Sequence, residues 1–385
     1  MKGRALLIFR GTATSGEAGV PIALTSFYRV PVFARWLYAL RHAGYRDVAV
    51  LAPPEALKAL RERLGDGGGL GLNITYLEGE DPGADGYDLI VEGDYLVAPE
   101  AFRSFCSGSY AAALCGGQEI LIRPPLRNRA STVSLDELSE PHHRPACAYA
   151  GNVAEAKSLI VKWAGKRLHL FSRLNAPFED LIVKAVGGAG WVTPNRVTVL
   201  VSAVAAAAAA LLLKGLFLQG ALLAYFAGIL DGVDGKLART RGILTRVGHL
   251  EHSIDALFEQ TIYAALALGL FLGGYGAQAV ILGAALLVVD SFARHIYNNF
   301  SSIAGKPLKE YSRFDEKFAV LDGRRNFYLF YAIIFSLLGA PILALVASLT
   351  HASVTAGVYL IRSIQHLSRL DAEEGTKNFL KLCTR

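Results

Sequence analysis

A chain of 385 residues that is 52% hydrophobic has room for two or more domains, and its mean hydropathy of +0.34 is too high for an ordinary soluble protein. The net charge of +6 is modest, and the basic residues gather beside apolar segments that lie almost entirely after Thr193. That pattern excludes a nucleic-acid-binding chain and points to contact with an anionic membrane surface. The four cysteines, Cys106, Cys115, Cys147 and Cys383, show neither metal-ligand nor paired spacing and read as reduced and cytosolic. The opening MKGRALLIFRG has too short an apolar run for a signal peptide.

Residues 1–155 read as an α/β domain. Apolar runs at Ala5–Phe9, Asp47–Leu51, Ile74–Leu77 and Asp88–Val91 predict strands, and Val30–His42 and Pro54–Leu64 carry helical periodicity. Such alternation argues for a parallel sheet with crossover helices, with a surface loop at Gly65–Gly71. The segment VPIALTSFYRVPVFARWLYALRHAGYRDVAVLA resembles the second motif of the nucleotidyltransferases that activate sugars and polyols. Gly93-Asp94 resembles their metal-binding Gly-Asp, which makes Asp94 a metal candidate. Their first motif is degenerate here: the loop reads FRGTATSGEAG, and Val20 stands where that family has Lys. A cradle without its cations binds a triphosphate poorly, so a scaffold or regulatory domain is the favoured reading over a working cytidylyltransferase.

Residues 156–192 form a basic linker. Within it Leu170–Val186 has the periodicity of a helix lying in the membrane interface, although an ordinary linker helix has the same pattern. Ser172 and Arg173 resemble the juxtamembrane segment of membrane enzymes with a fused N-terminal domain. Thr193-Pro194-Asn195 carries helix start signals. Six spans are predicted from there, at 195–214, 217–239, 247–272, 277–300, 325–339 and 341–367, the fifth being short. The run Ala205–Ala210 allows close helix approach. Lys306, Lys309, Arg313, Lys317, Arg324 and Arg325 share one loop while GGYGAQ holds no charge, so both termini and the inner helix ends are expected in the cytoplasm, with the N-terminal domain over them.

At the inner ends of the second and third spans lies DGVDGKLARTRGILTRVGHLEHSID, Asp231 to Asp255. An Asp at a bilayer centre costs roughly 2.5–3.5 kcal/mol, so Asp231, Asp234, Glu251 and Asp255 need a common partner. Asp231 and Asp234 are three apart and Glu251 and Asp255 four apart, one helical face each. A short basic turn over Thr240–Val247 lets two antiparallel helices bring the faces together. Hard oxygen ligands suit Mg²⁺ or Mn²⁺ and not zinc. Gly232, Gly235 and Ala238 clear space for a bulky anion, and Arg239, Arg241 and Arg246 stand beside it as phosphate partners.

This stretch resembles the CDP-alcohol phosphotransferases, whose signature is D-x2-D-G-x2-A-R, a gap of seven or eight, then G-x3-D-x3-D. Asp231, Asp234, Gly235, Ala238 and Arg239 match the first half. In the second half a gap of eight keeps Gly248 but puts the acids on His252 and Ala256. A gap of seven puts Val247 at the glycine and the acids on Glu251 and Asp255, the register preferred because it keeps two carboxylates four apart. The expected fold is an N-terminal α/β domain of Rossmann-like nucleotidyltransferase type (1–155), a linker and interfacial helix (156–192), and an all-α, six-helix integral-membrane domain (193–385).

The resemblance implies a membrane transferase that moves a substituted phosphate from a CDP-alcohol to an acceptor hydroxyl and releases CMP. The metal would sit on Asp231, Asp234, Glu251 and Asp255, with Asp255 also the base, and Gly235, Ala238 and Arg239 would line the nucleotide. It also implies a membrane-lipid setting and a homodimer. Arg294, near the inner end of the fourth span, resembles a basic residue of members that use phosphorylated acceptors; otherwise it snorkels or pairs with Asp290. With the nucleotidyltransferase-like fusion this points to an inositol phosphate acceptor, as in di-myo-inositol phosphate synthases, or to a bifunctional cytidylyltransferase–synthase. The single methionine fits a hot habitat. The readings from other classes are an ion-coupled transporter and, in the eight-residue register, a pseudoenzyme.

Overall fold

A computed structural model describes residues 3–13, 19–79, 82–127, 129–166, 169–242 and 251–383. The chain divides into two compact units. One comprises Met1–Gly165, Asp180–Val192 and Lys236–Leu244, the other Lys166–Glu179, Thr193–Gly235 and Thr245–Arg385.

The first unit contains β1 (Arg4–Ile8), β2 (Ser26–Phe27), β3 (Val30–Pro31), β4 (Asp47–Leu51), β5 (Asn73–Leu77), β6 (Leu89–Glu92), β7 (Tyr95–Val97), β8 (Ala112–Cys115), β9 (Gln118–Ile122), β10 (Thr132–Ser134) and β11 (Cys147–Tyr149). Its helices are α1 (Val32–His42), α2 (Pro54–Leu64), α3 (Pro99–Ser107) and α4 (Val153–Trp163). Seven strands form one sheet in the order β10-β8-β9-β6-β1-β4-β5. Strands β5, β4, β1 and β6 run parallel, as the alternating pattern predicts. The sheet is nevertheless mixed, because β9 pairs antiparallel with both β6 and β8. Gly116 and Gly117 explain the reversal: both have positive φ, 58° and 89°, and such a two-residue turn closes a hairpin. Leu6, Ile8, Ala49, Leu51 and Ile90 form a core on this sheet.

The expectation that all four cysteines are reduced is overturned for two of them. Cys115, at the end of β8, is disulfide-bonded to Cys147, at the start of β11, with Cα atoms 6.0 Å apart. The residues are 32 apart in sequence, so no local spacing announces the pair. Cys106 is buried and takes no part in a disulfide.

Helix α5 (Leu170–Val186) contains Pro177 and leaves Leu174, Phe178 and Leu181 exposed along one side. The second unit carries α6 (Pro194–Leu213), α7 (Phe217–Arg241, as far as Gly235), α8 (Glu251–Leu270), α9 (Ala277–Ala304), α10 (Arg313–Leu321), α11 (Arg325–Leu337) and α12 (Ile342–Cys383). The start of α6 is capped as its sequence predicts: the Thr193 side chain accepts from the Arg196 amide at 3.3 Å, and Pro194 fills the first turn. Among the described residues five helices are long and apolar enough to cross a membrane: Pro194–Leu213, Phe217–Arg241, Ser253–Tyr275, Ala277–Ala304 and Ile342–Glu373. The chain is an integral membrane protein. Helix α11, the predicted fifth span, has only 13 residues. At 1.5 Å per residue it rises about 20 Å, short of the ~30 Å hydrocarbon core.

Small residues let these helices touch through their backbones. A Cβ on Gly269 of α8 would lie 2.0 Å from the Leu212 carbonyl oxygen of α6, so only glycine fits. Around that contact Leu212, Ala221, Tyr263, Leu266, Leu329 and Ala344 are buried together.

Candidate active site

Asp231 and Asp234 lie one turn apart near the C-terminal end of α7. Glu251 is the first residue of α8, and Asp255 and Glu259 follow at four-residue intervals on the same helical row. Asp231, Asp255 and Glu259 line one cavity, together with Arg325 at the start of α11 and the small wall residues Ala224 and Gly228. The side chains of Glu251 and His252 lie outside the described residues, as do Arg246, Val247 and Gly248 of the predicted turn.

Two carboxylates of this cavity, Asp231 and Glu259, are held by guanidinium groups. Arg325 Nη2 donates to Asp231 Oδ2 at 2.7 Å, and its Nη1 lies 3.4 Å from Glu259 Oε1. Arg294 Nε donates to Asp290 Oδ2 at 2.7 Å, while its Nη2 bonds Glu259 Oε2. A chain of alternating charge therefore runs Asp231, Arg325, Glu259, Arg294, Asp290 across four helices. Arg294 makes the Asp290 pair that was one of its two readings, and a second pair besides. Sequence reasoning missed Glu259 and Arg325. Glu259 continues the four-residue spacing of Glu251 and Asp255, and that signal was available; Arg325 had been read only for orientation.

Asp234 is 1% exposed. Its Oδ2 accepts from the Thr198 hydroxyl of α6 at 2.7 Å, and its Oδ1 from the Gly235 amide. At Gly232 a Cβ would come 2.4 Å from the Glu179 carboxylate, the far end of a side chain that could swing aside. Gly235 belongs to the second unit, whereas Ala238 and Arg239 belong to the first. There the Arg239 Nε donates to the Ala164 carbonyl at 2.7 Å, and Arg241 donates to the carbonyls of Gly187, Ala189 and Val192. Lys236, fully buried, bonds Asp180 at 2.7 Å.

The donor chemistry fits a divalent cation of the Mg²⁺ or Mn²⁺ class, because every candidate ligand is a carboxylate oxygen. Among the described residues no three acids, histidines or cysteines form a group that could hold a metal. Asp231 is turned to Arg325 and Asp234 to Thr198, and the Glu251 side chain lies outside the described residues.

Asp94, in the first unit, is 7% exposed. Its Oδ2 accepts from the amides of Arg10 at 2.9 Å and Gly11 at 2.7 Å, tying the loop after β1. Burial raises its pKa against the pull of those two amides. Gly93 beside it is a packing glycine, since a Cβ would come 2.5 Å from the Phe9 ring.

Residues 191–360 match the CDP-alcohol phosphatidyltransferase family. That domain holds the whole acidic motif, the ion chain and four of the five membrane-crossing helices in full. Two crystal structures of the Mycobacterium tuberculosis phosphatidylinositol phosphate synthase are similar in outline. The one with CDP-DAG bound has a TM-score of 0.39 at 20% identity, covering 50% of this chain and 94% of that one. The one in complex with manganese and citrate has a TM-score of 0.38 at 21% identity, covering 49% and 88%. No curated protein matches the chain.

Proposed function

We propose that the chain is a metal-dependent membrane transferase that moves a substituted phosphate from a CDP-alcohol to an acceptor hydroxyl and releases CMP. The observation that carries this reading is the cavity shared by Asp231 of α7 and Asp255 of α8, within a domain of the matching family. Asp231, Asp234, Glu251 and Asp255 would hold the cation, Mg²⁺ or Mn²⁺. When bound, it supplies positive charge to the donor's pyrophosphate. Gly235, Ala238 and Arg239 are the nucleotide-side residues of the motif. The acceptor oxygen bonds to the β-phosphorus as the bond from that phosphorus to the CMP oxygen breaks. Asp255 takes the acceptor's proton, a role suited to a carboxylate one helical turn from Glu251.

The motif position of Arg294 suggests a phosphorylated acceptor. Its planar fork could hold a phosphate monoester in two hydrogen bonds once exchanged from Glu259 and Asp290, its present partners. An inositol phosphate is the acceptor we favour. The N-terminal unit is read as a nucleotidyltransferase-like scaffold, six helices as the membrane domain, the termini as cytoplasmic and the assembly as a homodimer. The deciding experiment measures CMP release by the purified protein with a panel of CDP-alcohols and acceptors, with and without Mg²⁺ or Mn²⁺. Metal-independent release, or none with any donor, would overturn the proposal.

A further inference from the structure

Helix α10 lies between α9 and α11 in the chain, and it turns one acid to the protein while leaving large apolar side chains outside. Asp315 and Ala319 are buried, whereas Phe314 and Leu321 are each 54% exposed. Phe314, Phe318 and Leu321 recur at i, i+4 and i+7 and so form one stripe, with the Phe314 and Phe318 rings stacked 6.1 Å apart. The adjoining row holds Arg313 and Lys317, both exposed. Glu316 points away from the stripe by its helical position.

The roll of this helix is fixed from beneath. Asp315 accepts from Arg362 Nε at 2.6 Å and Nη2 at 2.9 Å, and meets His366 Nε2 at 2.8 Å. Asp322, just past its end, accepts from the Tyr359 hydroxyl and from Arg324 at 2.8 Å. These bonds tie α10 to one level of α12. Arg362 lies 20 residues beyond Ile342, the start of that helix. At 1.5 Å per residue the rise is about 30 Å, one hydrocarbon thickness. With Ile342 taken as one edge of the hydrocarbon core, the tie holds α10 at the other, its apolar stripe turned outward and its basic row alongside.

We infer that α10 is an interfacial anchor that seats Phe314, Phe318 and Leu321 in the acyl boundary and binds anionic lipid headgroups through Arg313 and Lys317. The occupant is a lipid leaflet because the exposed face pairs an apolar stripe with cations at bilayer depth. A protein partner would need no such level, and Asp315, the buried acid of the helix, is already bonded to Arg362 and His366. A basic residue near an anionic leaflet is worth about five-fold in partitioning.

The test uses the full chain with Cys383→Ser, spin-labelled at Phe314→Cys or Glu316→Cys, in vesicles of phosphatidylcholine alone or mixed with phosphatidylglycerol. Collision with oxygen reports lipid contact, and collision with a water-soluble nickel chelate reports solvent. With phosphatidylglycerol present the label at 314 should favour oxygen and that at 316 nickel. Removing the anionic lipid, or adding Arg313→Gln and Lys317→Gln, should lower the lipid-facing population at 314 by about five-fold per charge. A label at 314 that meets nickel in both vesicles overturns the anchor. Equal oxygen contact with and without anionic lipid overturns the headgroup assignment. A label shielded from both reagents means that protein covers the face, which also overturns the inference.

Discussion

Replacing Arg294 with Ala removes the cation shared by Asp290 and Glu259, whose side chains are 3% and 10% exposed. Water cannot replace the guanidinium at those depths, and an uncompensated buried charge costs about 3–5 kcal/mol. Glu259 keeps Arg325 at 3.4 Å, so the cost is expected for one stranded acid, Asp290, rather than two. A domain of this size loses about 2–4 °C of midpoint per kcal/mol, so thermal unfolding in detergent should shift down by roughly 6–20 °C. Adding Asp290→Ala removes the stranded charge and should restore most of the loss. If Arg294 also holds the acceptor's phosphate, the double variant recovers stability but keeps a raised acceptor KM, with the CDP-alcohol KM nearly unchanged. An Arg294→Ala protein as stable as its parent, within the ~0.5 kcal/mol of an ordinary surface change, would refute the ion-chain reasoning.

Four further outcomes are expected. Asp255→Asn should lower turnover by orders of magnitude while His252→Ala is tolerated; the reverse pattern in a CMP-release assay means that the eight-residue register is the right one. Pyrophosphate release from CTP with inositol or glycerol phosphates should stay at background, since the loop after β1 has no Lys at Val20 and Asp94 is bonded to its amides. Burial would raise the Asp315 carboxyl, but hydrogen bonds from Arg362, Ser312 and His366 outweigh it and bring the group down to about 2. Its contribution to stability is thus whole above the unfolded carboxylate value of about 4 and lost as pH falls toward 2, and Asp315→Asn should flatten unfolding midpoints in that window. Reducing Cys115–Cys147 reopens a loop of 32 residues and should cost about 3–4 kcal/mol, read as a lower unfolding midpoint with dithiothreitol.

Features that are local in sequence were legible, and those made by distant partners were not. Thr193-Pro194 predicts a helix start because cap and first turn are neighbours, and α6 begins there. The parallel strands β1, β4, β5 and β6 follow from short apolar runs between helical patterns. The Gly116-Gly117 hairpin that makes the sheet mixed was also a local signal, overlooked because the apolar alternation on either side is weak. The Cys115–Cys147 bond joins β8 to β11, which are not adjacent in sequence, and no periodicity encodes that. Arg325 looked like one more basic loop residue, since its carboxylate partner Asp231 lies 94 positions earlier.

The second half of the motif joins both kinds of information. Sequence alone weighs Gly248, which fits the motif's glycine, against two acids spaced by four, and physics favours the acids because each misplaced charge in a membrane helix is costly. The structure adds a third member of that row: Glu259 stands four residues beyond Asp255, and both line the cavity that Asp231 lines. Ala256, the last position of the competing register, lies about 100° around the helix from Asp255 and is not in that lining. A row of carboxylates at 251, 255 and 259 on one face also explains why two guanidinium groups are needed deeper in the bundle. Arg294 and Arg325 both meet Glu259, the acid furthest along the row from the helix start.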